Sequence, residues 1–119
     1  MKRRTKFAGK VKGKKVFVEL PPFVPSFHIP EHDEVLTLKI GDFVKLILKP
    51  EQPTHPHLSG ERMWVQITKR LGPNDWEGIT DNDPLFLPVK IGTKVTFHPA
   101  AVVDFLRASD KPKFVGRRL

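Results

Sequence analysis

The chain is patterned in short stretches where apolar and polar residues take turns. In FVKLILKP (43–50), Val44, Leu46 and Leu48 fall on one side of an extended backbone, while Lys45 and Lys49 fall on the other with Phe43 and Ile47. ERMWVQIT repeats the arrangement, with Met63, Val65 and Ile67 on one face and Arg62, Trp64, Gln66 and Thr68 on the opposite one. KVFVEL sets Val16, Val18 and Leu20 together, EVLTLKI sets Leu36, Leu38 and Ile40 together, and VTF adds Val95 and Phe97. A period of two is the signature of a half-buried strand, since successive side chains point to opposite faces. After the turn GPND, WEGIT reads as a return strand opened by Trp76, a hydrophobic anchor for the hairpin, and DNDP breaks it.

Gly and twelve prolines separate these runs, so the chain is expected to be mainly β: a small, partly open SH3-like barrel with one short C-terminal helix. The helix is placed in HPAAVVDFLRAS, where Pro99 suits the first helical position and Val102, Val103, Phe105 and Leu106 give a short apolar face. PPFVPSFHIP carries too many prolines for a full hydrogen-bond ladder and is expected as an edge or lid burying Phe23, Val24, Phe27 and Ile29. PEQPTHPHLSG is a loop. KIGDFVKL and KIGTKVTF share a Lys-Ile-Gly turn feeding a strand, repeated turn chemistry in which glycine lets the chain reverse tightly.

With 119 residues the chain suits one domain. It has no cysteine, which removes disulfides and thiolate metal sites. Its basic start is followed by no apolar stretch, and no apolar run approaches the roughly 18 residues that span a bilayer. A soluble cytoplasmic protein without a membrane partner is expected.

The net charge of +8 is distributed unevenly. Residues 1–20 hold eight cations, Lys2, Arg3, Arg4, Lys6, Lys10, Lys12, Lys14 and Lys15, against Glu19 alone. Residues 107–119 hold five, Arg107, Lys111, Lys113, Arg117 and Arg118, against Asp110. Between them eleven acids outnumber eight bases. This predicts a basic N-terminal arm (1–15), a mildly acidic barrel domain (16–106) and a basic C-terminal tail (107–119). Such ends serve either as polycations that displace counterions from a nucleic-acid backbone or as solvated tails that aid solubility.

Trp64 sits among polar neighbours on its strand. It is either covered by a second layer or forms a recognition face with Arg62 and Gln66, joined by Lys45 and Lys94 if the strands align, able to stack a base or grip an acidic peptide.

Enzymatic chemistry finds no support. Ser26, Ser59 and Ser109 are the only serines and none lies in a Gly-x-Ser-x-Gly setting, and no glycine-rich phosphate loop precedes a helix. His55 and His57, with His28, His32 or His98, match no established metal-ligand spacing, and DNDP lacks the glycine and closing glutamate of a calcium loop. No cofactor and no metal are expected.

ERMWVQI, WEGITDNDP and VKIGTKVTFHPAAVVDF together resemble the YegJ-like family of small bacterial domains of unknown function. Trp64-Val65, Gly78 with Asn82 and Pro84, Gly92 with Val95 and Phe97, and Val103-Asp104-Phe105 carry the resemblance over about residues 61–105, with Phe105 standing where that pattern has tryptophan. Some members look like immunity or accessory proteins by association. The resemblance implies no catalytic residue. Together these features predict a non-enzymatic binding module for nucleic acid or a nucleoprotein, contacted through Lys2 to Lys15, Arg62, Trp64, Lys111, Lys113, Arg117 and Arg118. The alternatives are a protein-binding inhibitor or immunity-type factor, and a structural or assembly component.

Overall fold

The inward apolar positions of each alternating run gather in one interior. In a computed structural model, which describes residues 7–21, 29–51, 60–85 and 87–110, seven strands form: β1 (Phe7–Val11), β2 (Val16–Glu19), β3 (Phe43–Pro50), β4 (Glu61–Gly72), β5 (Asp75–Thr80), β6 (Lys94–Phe97) and β7 (Asp104–Leu106). Each of the first six pairs antiparallel with its sequence neighbours, and β1 pairs with β6, so the meander closes into a six-stranded barrel. β7 is the extra strand, paired with the start of β3 where β2 no longer reaches. The fold is mainly β, consistent with a small SH3-like barrel, although the ring is closed and not partly open as expected.

The expected inward faces of three strands are buried: Val44, Leu46 and Leu48 of β3, Met63, Val65 and Ile67 of β4, and Val95 and Phe97 of β6. Val11, Val16, Val18 and Trp76 complete the lining, a packed interior of the kind small barrels require. Trp76 is fully buried, its ring edge-on to Phe97 at 6.1 Å and 70°. The Arg70 guanidinium lies 4.5 Å over the Trp76 ring and donates to the Leu38 carbonyl at 3.1 Å, covering the indole at this part of the core. Arg70 is placed there by register irregularities in the β4–β5 pairing on either side of it.

Four further expectations are corrected. The N-terminal arm is not an arm beyond residue 6: Phe7–Val11 is a strand between β2 and β6, so the barrel begins at Phe7 rather than at residue 16. Glycine at position 9 lets β1 approach β6, for a Cβ there would lie 1.9 Å from the Thr96 carbonyl oxygen. EVLTLKI is not a strand. A helical turn, α1 (His32–Val35), buries Val35, and Leu38 follows it into the core, while Ile40 is 63% exposed. Val35 and Leu38 are three residues apart, the spacing of one helix face, and Asp33 and Glu34 suit a helix start. The C-terminal helix is a single 3-10 turn, Pro99–Ala101, after which β-branched Val102 and Val103 lead into β7. Leu20, expected inward, lies just past the end of β2 and is exposed.

A second 3-10 turn, Ala108–Asp110, is tied back to the body where the Asp42 carboxylate accepts the Ala108 N–H at 2.9 Å and the Lys39 N–H at 2.8 Å. The proposed lid over 21–30 lies mostly outside the described residues, as does the loop from 52 to 59. Among the described residues no helix is long and apolar enough to cross a membrane.

Candidate nucleic-acid interface

Strand register sorts the outward side chains of β1, β2, β3, β4 and β7 into rows. Lys10, Phe17 and Lys49 stand opposite one another on β1, β2 and β3. Glu19, Ile47 and Arg62 form the next row, on β2, β3 and β4. Asp104, Lys45 and Trp64 form the third, on β7, β3 and β4. Directly opposed side chains on one sheet face lie within contact range. Lys49 Nζ pairs with the Glu19 carboxylate at 3.3 Å, and Lys45 Nζ lies 4.9 Å from the Trp64 ring centroid, within cation–π range.

Trp64 is half-buried, so its ring is neither a core residue nor fully in solvent. Its backbone is held on the β5 side. The Asn82 side-chain oxygen accepts the Trp64 N–H at 2.7 Å, and the Trp64 carbonyl accepts the Asp81 N–H at 2.8 Å. Asn82 thereby continues the ladder with a side chain after β5 has ended, which fixes where the indole emerges. Of the face expected around Trp64, Lys45 and Arg62 are in place. Gln66 is on the same strand face, with its amide donating to the Gly41 carbonyl at 3.2 Å. Lys94 does not join: it lies on β6 opposite Ile79 and pairs with Glu77 at 3.5 Å.

At the hairpin end, Lys10, Lys14, Lys15, Val16, Phe17 and Glu51 line an open cleft of 290 Å³. The Glu51 N–H donates to the Lys15 carbonyl at 2.8 Å, joining the chain beyond β3 to the β1–β2 hairpin. The cleft adjoins the first row through Lys10 and Phe17, so a basic strip runs from Lys14 and Lys15 past Phe17 and Lys49 towards Lys45 and Trp64. Lys10, Lys12, Lys14 and Lys15 are thus carried by the barrel, all four exposed. Lys2, Arg3, Arg4, Lys6, Lys111, Lys113, Arg117 and Arg118 lie outside the described residues.

Phe17 and Lys49 join this face without having been expected on it, whereas Lys45 takes its expected place. Their signal is the presence of Lys15 and Phe17 in KKVFVE and of Lys45 and Lys49 in VKLILK at outward positions shared with Glu19 and Ile47; which of them become neighbours depends on register.

A second cleft, of 400 Å³, is lined by Ile29, Pro30, Glu31, Glu34, Val103, Asp104 and Phe105, and its charged groups are all acidic. Among the described residues no three His, Asp or Glu side chains come together as a metal would need. His98 Nδ1 accepts the Ala100 N–H at 2.9 Å and so caps the 3-10 turn, while His28, His55 and His57 lie outside the described residues. No family model, curated protein or solved structure matches the chain.

Proposed function

We propose that this protein is a non-enzymatic module that binds nucleic acid, or the nucleic acid of a nucleoprotein, on the outer face of β1, β2, β3 and β4. The observation that carries this reading is the alignment of Lys10, Lys14, Lys15, Lys45 and Lys49 with Phe17 and Trp64 on one continuous surface. Ammonium groups at a surface contribute little singly, but several facing one polyanion release its condensed counterions together. The basic residues of both chain ends add to the same attraction. A kinship with the YegJ-like domains belongs to this proposal and supplies no chemistry of its own.

The test is the salt dependence of binding to a labelled oligonucleotide. Log affinity is expected to fall linearly with log salt, with a slope of about −0.7 to −0.9 per phosphate contacted. Joint reversal of Lys10, Lys14 and Lys15 to Glu is expected to flatten that slope by about two to three units. Binding that ignores salt, or that survives the triple reversal unchanged, overturns the reading.

The acidic cleft favours one second reading, an inhibitor or immunity-type factor that docks a basic protein over Glu31, Glu34 and Asp104. Reversing Glu31 and Glu34 to Lys would then abolish partner capture while leaving oligonucleotide binding unchanged.

A further inference from the structure

Resting on the nucleic-acid reading, we infer that the ligand is a single strand, laid along β3 with unpaired bases stacked on Phe17 and Trp64. The first ground is the separation of the two rings. Phe17 stands opposite Lys49 on the β2 side of β3, and Trp64 stands opposite Lys45 on the β4 side. The two lysines are four residues apart on one strand, which is about 13 Å at about 3.3 Å per residue. Bases within a duplex repeat every 3.4 Å or so along each strand and show only their edges in the grooves, so a protein ring reaches a base face only when that base is out of the stack. Two half-buried rings this far apart suit a strand whose bases are drawn apart.

The second ground is the placement of cations beside each ring. Lys10 and Lys49 flank Phe17 across the sheet, Lys45 sits 4.9 Å from the Trp64 centroid, and Arg62 occupies the next outward position on β4. Every nucleotide unit joins a flat base to an anionic phosphate, and a ring with a neighbouring ammonium answers both parts at once. The carboxylates of the face, Glu19 and Asp104, both lie on the β2 and β7 side of β3. Arg62 and Lys45 therefore offer the phosphates a path clear of these acids, while at Lys49 a phosphate would take over the ammonium now paired with Glu19 at 3.3 Å. Positive charge alone would serve a duplex equally well; rings set between the charges would not.

The experiment measures the full chain against a short labelled oligothymidylate and against a duplex of equal length by fluorescence anisotropy. The single strand is expected to bind at least about tenfold tighter. Trp64→Ala and Phe17→Ala are each expected to lose about five- to hundredfold on the single strand, with far less change on the duplex, and Trp64→Phe to retain most of the affinity. Melting curves check that the variants fold. Because Trp76 is buried, quenching of the emission lost in Trp64→Phe reports on Trp64 in the native chain, and oligothymidylate is expected to quench it. Equal affinity for duplex and single strand, or variants within about twofold of the native chain while the Lys10, Lys14 and Lys15 reversal abolishes binding, overturns the single-strand inference and leaves the nucleic-acid reading standing. Absence of binding to either oligonucleotide overturns both.

Discussion

Gly9→Ala attacks the seam that closes the barrel. Gly9 faces Phe97 across the β1–β6 pairing, and an added Cβ would lie 1.9 Å from the Thr96 carbonyl oxygen and 2.7 Å from the Phe97 Cα. Both atoms belong to the backbone of β6, so no side chain can swing aside and the strands must part by about 1 Å or more. Overpacking of this kind costs about 1–3 kcal/mol. The seam bonds next to it, including His98 N–H to the Ala8 carbonyl at 2.7 Å, would stretch at a cost of about 1 kcal/mol each. The total, about 3–5 kcal/mol, is a large part of the 5–15 kcal/mol or so that a domain has in hand. In urea, with a slope of about 2 kcal/mol per molar, the midpoint should fall by about 2 M. Gly13→Ala is the control: Gly13 has φ +74 and nothing within 4 Å of the new Cβ, so only the left-handed backbone penalty of about 1–2 kcal/mol applies. If Gly9→Ala costs no more than Gly13→Ala, the close approach of β1 to β6 is wrong.

Two further outcomes follow from the core and its ties. Trp76→Ala should destabilise by about 3–5 kcal/mol, whereas Trp76→Phe should cost under about 1.5 kcal/mol in the same titration, because among the described residues nothing accepts the buried Nε1–H and little hydrogen bonding is lost with it. Asp42→Ala should cost about 2–3 kcal/mol by leaving the Lys39 and Ala108 N–H groups without their acceptor, and Asp42→Asn, which keeps one acceptor oxygen, should lower the melting temperature by roughly half as much.

The alternation in β3, β4 and β6 was legible because each strand has one face on the core and one outside, so burial follows residue parity. Leu36-Leu38-Ile40 shows the same parity, yet only Leu38 belongs to the core; the competing spacing of Val35 and Leu38 carried the turn of helix that forms there. β1 is not legible locally because FAGKV is five residues long, has Gly9 at its centre and lies in a lysine-rich stretch, and its strand character comes from pairing on both sides rather than from its own composition. Trp64 and Lys45 could be suspected as neighbours from their outward positions. The addition of Phe17 and Lys49, and the loss of Lys94 to Glu77, depend on strand order around the ring, which no local pattern contains.

Closure of the ring between the first strand and the sixth has a consequence for synthesis. β1 leaves the ribosome early, and its second partner exists only once translation has passed Phe97. Until then the β1–β2 hairpin presents an unsatisfied row of backbone donors and acceptors to every other nascent chain nearby. Lys10, Lys12, Lys14 and Lys15 crowd that margin with like charge, which discourages a second hairpin from annealing to it. Lys10, Lys14 and Lys15, proposed to meet a ligand in the finished molecule, would thus also serve with Lys12 as gatekeepers during the interval before the barrel can seal.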